Sequence, residues 1–118
     1  MNWETIELLG YSYYSSKGYS ILIKLVSNSN YDFVAERDGT YIKVNVKRAG
    51  LKSKSIPTSW SISQASGSNP LSKTRENKPK VDVYLVWLPH LEKFIELPGD
   101  FFEGANSKSK IIPKKYLK

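Results

Sequence analysis

The chain has no cysteine, and its 118 residues include one histidine, His90, and one methionine. Without thiols, neither disulfides nor thiolate zinc sites are available, which suits a reducing cytosol. A single imidazole excludes a histidine-rich metal centre, and His90, following Pro89 in a loop, reads as a bystander. No apolar run approaches the ~20 residues that cross a bilayer. The N-terminus also lacks the charged-then-apolar pattern of a signal peptide. The expectation is a cytoplasmic protein without a membrane partner. Acidic residues are scarce too: 11 Asp and Glu against 18 Lys and Arg leave a net charge of +7.

What is present describes a folded chain. A hydrophobic share of 40% and an aromatic share of 13% are too high for a disordered segment. The length predicts one domain, 1–118, with a modest core. The cationic excess favours a polyanionic partner, of which nucleic acid is the commonest. The plainer alternative is a charge that serves solubility.

Residues 3–17 predict a helix closed by Gly18, with Trp3, Ile6, Leu9, Gly10 and Tyr13 as its buried stripe. Glu7 lies at the edge of that stripe. Residues 19–26 predict a strand, and Ser27-Asn-Ser-Asn30 a turn. A hairpin follows from Tyr31 to about Val46, turning on Asp38-Gly39. From Arg48 to Lys80 the composition shifts to Ser, Lys, Pro and Gly, which reads mainly as loop with a short element near Ile56, Trp60 and Ile62. Residues 81–88 predict a central strand and 93–97 a shorter one; the tail from Ser107 is basic. This order predicts an α/β layer with the hairpin and the Val81 strand in one mixed sheet.

The hairpin carries the chemistry. A two-residue loop at Asp38-Gly39 pairs Arg37 with Thr40, and counting back places Asp32 opposite Asn45. Lys47 lies one step further on the same face as Asn45. Asp32 offers a carboxylate to a hard cation, Asn45 a side-chain carbonyl, and Val46 a backbone carbonyl close by. Lys47 can orient or help deprotonate a water and balance charge in a transition state. Such a patch can hold Mg²⁺ and a phosphate together. The plain readings are an Asp that caps a turn and a Lys on a solvated strand face. Glu36 and Asp38 are read as serving the turn, and Asp82 as structural.

The basic residues divide among three runs. Arg48, Lys52 and Lys54 directly follow the Lys47 strand, while Lys73, Arg75, Lys78 and Lys80 form a second run. Interspersed with Ser, Thr and Asn, they suit contacts to phosphate. A third run lies between Lys108 and Lys118.

The phrases Lys17-Gly-Tyr-Ser-Ile-Leu22, Tyr31-Asp-Phe-Val-Ala35 and Val44-Asn-Val-Lys-Arg48 resemble the core of the PD-(D/E)XK nucleases. They are most similar to the compact homing endonucleases of bacterial group I introns, with archaeal-type Holliday junction resolvases as neighbours. The resemblance implies a restriction-endonuclease-like core, a central mixed sheet flanked by helices. It implies Glu7 as the helix acid, Asp32 as metal ligand, Asn45 at the Glu/Gln position and Lys47 as the motif lysine. It further implies Mg²⁺, with Mn²⁺ as a substitute, and double-stranded DNA as partner. A homodimer or homotetramer in a bacterial or phage-infected cell completes the expectation. Asn45 departs from the family by being one methylene shorter than Gln and uncharged. The alternatives are a resolvase-like nuclease and a non-catalytic DNA-binding protein on a nuclease scaffold.

Overall fold

Helix α1, Trp3–Ser15, begins where the Asn2 side chain accepts the Thr5 backbone N–H at 2.8 Å, and Glu4 adds a negative charge to its first turn. It stops short of Gly18, whose φ of +89° no helix continues. A computed structural model describes residues 2–23, 31–53, 56–63, 81–89, 91–102 and 109–117. After α1 come strands β1 Ser20–Ile23, β2 Phe33–Arg37, β3 Thr40–Arg48, β4 Gly50–Ser53, β5 Ile56–Ser63, β6 Val83–Leu88, β7 Lys93–Pro98 and β8 Ser109–Ile111. A single 3-10 turn spans Lys114–Tyr116.

The turn at Asp38-Gly39 forms as expected. Both residues take positive φ, 54° and 82°, the two-residue geometry that follows the twist of a hairpin. Arg37 pairs with Thr40 and Phe33 with Val44. The main sheet has the order β1-β2-β3-β6-β7, antiparallel throughout except for the parallel junction of β3 with β6. The hairpin and the Val81 strand therefore share one mixed sheet.

Two apolar layers cover it. On one face α1 lays Ile6 and Tyr14 over Phe33, Ala35, Val44, Val46, Leu85 and Trp87. On the other, Phe101, Phe102 and Ile112 pack against Ala49, Val86, Leu88, Ile95 and Leu97. Alternation along β3 puts Val44 and Val46 under the helix, and Lys43, Asn45 and Lys47 on the opposite face.

The structure corrects three expectations. The buried stripe of α1 is Ile6, Gly10 and Tyr14, whereas Trp3 is 46% and Leu9 36% exposed. The helix comes close to the sheet at Gly10, where an added methyl would lie 3.3 Å from Leu85, and the stripe follows the four-residue spacing through that point. After Arg48 the short element expected near Ile56, Trp60 and Ile62 is β5, and β4, which was not expected, pairs antiparallel with it; residues 64–80, read as loop, lie outside the described residues. The basic tail is not merely basic, since β8 adds a third strand to that pair and Ile112 enters the core.

Candidate functional site

Asp32 stands at a bend just ahead of β2. Its backbone N–H donates to the Val44 carbonyl at 2.7 Å, a bond outside the regular ladder. Its carboxylate accepts the Val46 N–H at 2.6 Å. The paired register ends at Phe33–Val44, one step short of the expected pairing of Asp32 with Asn45. The carboxylate is thus turned onto the next donor that β3 presents, instead of standing above Asn45. Along a strand the N–H and C=O of one residue point to the same edge. The Val46 carbonyl therefore faces the edge occupied by Asp32.

Asn45 is half-buried and pairs across the sheet with Tyr84 of β6. Lys47 is only 8% exposed, so the solvated-face reading does not hold. Its Nζ lies 5.6 Å from the Tyr84 ring centre and 5.8 Å from that of Phe102, within the range of cation–π attraction. Those rings meet edge to face at 5.2 Å. Burial of an ammonium is costly unless it is compensated. Among the described residues, no buried side-chain N or O atom lacks a hydrogen-bond partner.

Glu7 is half-buried on α1. The Tyr11 hydroxyl donates to Glu7 Oε1 at 2.9 Å, and the Tyr11 ring packs edge-on against Phe33 with centres 5.0 Å apart. Burial pushes the Tyr11 hydroxyl up to about 12, helped by the bond to Glu7 and by the charges of Glu7 and Asp32. The field of Asp32 thus reaches Tyr11. Sequence reasoning missed Tyr11, although its place four residues after Glu7 on a helix was a usable signal. It also missed Tyr84 and Phe102 as the surroundings of Lys47; nothing local to Lys47 announces them.

Arg48 ends β3 and is exposed. Lys52 lies in β4, and its side chain falls outside the described residues, as do Lys54, Lys73, Arg75, Lys78, Lys80 and His90 altogether. Asp82 has the structural part expected of it: its carboxylate accepts the Lys43 N–H at 2.8 Å, and its own N–H donates to the Lys43 carbonyl at 2.9 Å.

A family model described as PD-(D/E)XK endonuclease matches residues 11–118. The chain belongs to that family. The match includes Asp32, Asn45 and Lys47, and it begins after Glu7. No curated protein matches the chain. Among solved structures, the bacterial homing endonuclease I-Ssp6803I is similar, with a TM-score of 0.70 and 20% identity over 92% of this chain and 70% of that one. The mixed five-stranded sheet with α1 across it is the restriction-endonuclease-like α/β fold of PD-(D/E)XK proteins.

The donors around Asp32 bear on the divalent metal ions that the family generally uses. Among the described residues, no three His, Cys, Asp or Glu side chains gather to hold a metal. Mg²⁺ is commonly held by one or two carboxylates, with waters completing an octahedron. A carboxylate has roughly four lone-pair sites, and the bond from Val46 uses one of them. One carboxylate with a carbonyl on the same edge suits a largely hydrated Mg²⁺ and does not suit a fully caged ion. Among the described residues, no helix is long and apolar enough to cross a membrane.

Proposed function

We propose that this endonuclease-family chain is a Mg²⁺-dependent DNA endonuclease of the site-specific, homing type, acting as one nuclease-like domain over 1–118. The observation that carries the reading is the Asp32 carboxylate fastened to the N–H of Val46, which stands between Asn45 and Lys47 on β3. Asp32, the Val46 carbonyl and the Asn45 amide would hold the ion, with Glu7 contributing from α1. Mg²⁺, or Mn²⁺ in its place, would supply Lewis-acid stabilisation of charge on the phosphate. Lys47, held by Tyr84 and Phe102, orients the attacking water and offsets negative charge as the phosphodiester bond breaks. Arg48, Lys52, Lys54 and the run from Lys73 to Lys80 bear on the DNA backbone, in keeping with a charge of +7. One such site cuts one strand, so duplex cleavage calls for a homodimer or homotetramer on a near-palindromic target.

The test is cleavage of genomic DNA with Mg²⁺ by the parent, Asp32→Ala and Lys47→Ala. The expected result is Mg²⁺-dependent cleavage that both variants lose, with salt-sensitive DNA binding retained. Equal loss of binding and folding in both variants contradicts the reading. Asn45 favours a second reading, a DNA-binding protein on a nuclease scaffold. A ligand displaced by about 1 Å can cost on the order of 100-fold in rate. If the parent binds DNA without cutting it and Asn45→Gln cuts, the second reading holds for the natural chain.

A further inference from the structure

Two tyrosine–glutamate pairs tie α1 down, and they differ in what surrounds them. Tyr14, 1% exposed, donates to Glu96 Oε1 of β7 at 2.6 Å. Burial and that bond hold its hydroxyl well above the usual tyrosine range, and only Glu96, Tyr13 and Tyr19 add charge effects. Lys17 joins the same group, 3.9 Å from Glu96 Oε2 and 2.8 Å from the Tyr13 hydroxyl. This pair fastens the helix to the sheet.

The Tyr11–Glu7 pair lies one turn earlier, and its surroundings are those of the candidate site. Phe33, fully buried, pins the Tyr11 ring edge-on, and Phe33 directly follows Asp32 in the chain. The ring contact sets Tyr11 beside the first residue of β2, and the charge of Asp32 acts on its hydroxyl. Glu7, which a free helix surface would leave in solvent, is half-buried and bonded to that hydroxyl. A phenol that donates its proton to Glu7 keeps acceptor capacity for a water.

We propose that Tyr11 is a positioning residue of the metal site. Its hydroxyl fixes one oxygen of Glu7 and leaves the other to serve a hydrated divalent cation at Asp32. Tyr11 acts through Glu7, joining the helix acid to the strand acid. The inference rests on the nuclease reading above.

The experiment compares the parent, Tyr11→Phe, Glu7→Gln and their double variant, with Tyr14→Phe as the purely structural counterpart. Three quantities are measured: melting temperature without metal, the Mn²⁺ concentration that half-saturates the metal-induced rise in that temperature without DNA, and the Mg²⁺ concentration half-saturating cleavage. Tyr11→Phe keeps the ring and its packing, so its metal-free melting temperature stays near the parent's. Both half-saturating concentrations rise about 10-fold, the effect of removing a group that orients a metal ligand. The double variant matches Glu7→Gln alone, while Tyr14→Phe lowers the melting temperature and leaves both metal concentrations unchanged. A Tyr11→Phe protein that titrates like the parent overturns the inference, and so does a loss that adds in full to that of Glu7→Gln. A parent with neither metal-dependent stabilisation nor cleavage overturns the nuclease reading itself, and the inference with it.

Discussion

Asp32 and Asp82 are built alike and surrounded differently. Each sits at a bend before a strand, donates its backbone N–H to a carbonyl of β3 and accepts a β3 N–H with its carboxylate. They clasp β3 from opposite edges, Asp32 on the β2 side and Asp82 on the β6 side. Asp82 bonds both groups of Lys43, an exposed residue, and is itself exposed. Asp32 is half-buried, spans Val44 to Val46, and has Tyr11 within reach of its charge. Locally the two acids do the same work for the sheet. The surroundings, rather than the clasp, distinguish a candidate ligand from a structural acid.

The largest expected effect separates them by activity. An amide oxygen still accepts the β3 N–H, so Asp32→Asn and Asp82→Asn should both fold. Asp32→Asn should lose at least about 100-fold in Mg²⁺-dependent cleavage, as expected when a preorganised charge-stabilising group is removed. Asp82→Asn should stay within about 3-fold, since a surface substitution away from the site moves little free energy. Equal losses in a single-turnover assay would erase the distinction.

Next comes the backbone around Asp82. The Gly99 N–H donates to the Asp82 carbonyl at 3.0 Å, and a methyl group on Gly99 would collide with the Val81 carbonyl. Gly99→Ala should cost about 2 kcal/mol or more in denaturant unfolding, as a steric overlap with neighbouring backbone does. The folded fraction should still cleave, because the damage lies at the structural clasp. Loss of cleavage per folded molecule would place Asp82 and its neighbours in the site after all.

The smallest effect is the dependence of stability on alkaline pH. The Tyr11 hydroxyl lies at about 12 in the folded chain, against 10.0 unperturbed. A raised value means that the folded state holds the proton more tightly than the unfolded state does. The stabilisation is complete below pH 10 and is lost as the pH rises from about 10 toward 12. Unfolding midpoints recorded from pH 8 upward should therefore fall less steeply in Tyr11→Phe than in the parent. An unchanged slope would remove the buried, Glu7-bonded hydroxyl from the account.

The sequence made the hairpin legible because Asp38-Gly39 requires positive φ at two successive positions, which fixes the pairing of Arg37 with Thr40. For the same reason it brought the 44–47 stretch of β3 to the head of β2, where the Asp32 carboxylate meets Val46 and not Asn45. It did not show the clasp of Asp32, since a carboxylate bonding a backbone N–H leaves no mark on the side-chain pattern of Val46. Lys47 read as solvated because its covering rings come from another strand and from a turn after β7. The helix stripe was misplaced by the apolar character of Trp3 and Leu9, whereas packing follows the close approach at Gly10. The strand β5 was legible from Ile56, Trp60 and Ile62, whereas β4 escaped notice because Lys and Ser mask its alternation, and β8, the other partner of β5, comes from the basic tail.

The central claim is that Asp32, and not its counterpart across β3, belongs to a metal site. Crystals of the protein soaked in millimolar Mn²⁺, with anomalous scattering recorded, test it most directly. A peak is expected within about 2.5 Å of both the Asp32 carboxylate and the Val46 carbonyl, the range of a hard-cation–oxygen bond. A peak at Asp82, or none at Asp32, would contradict it.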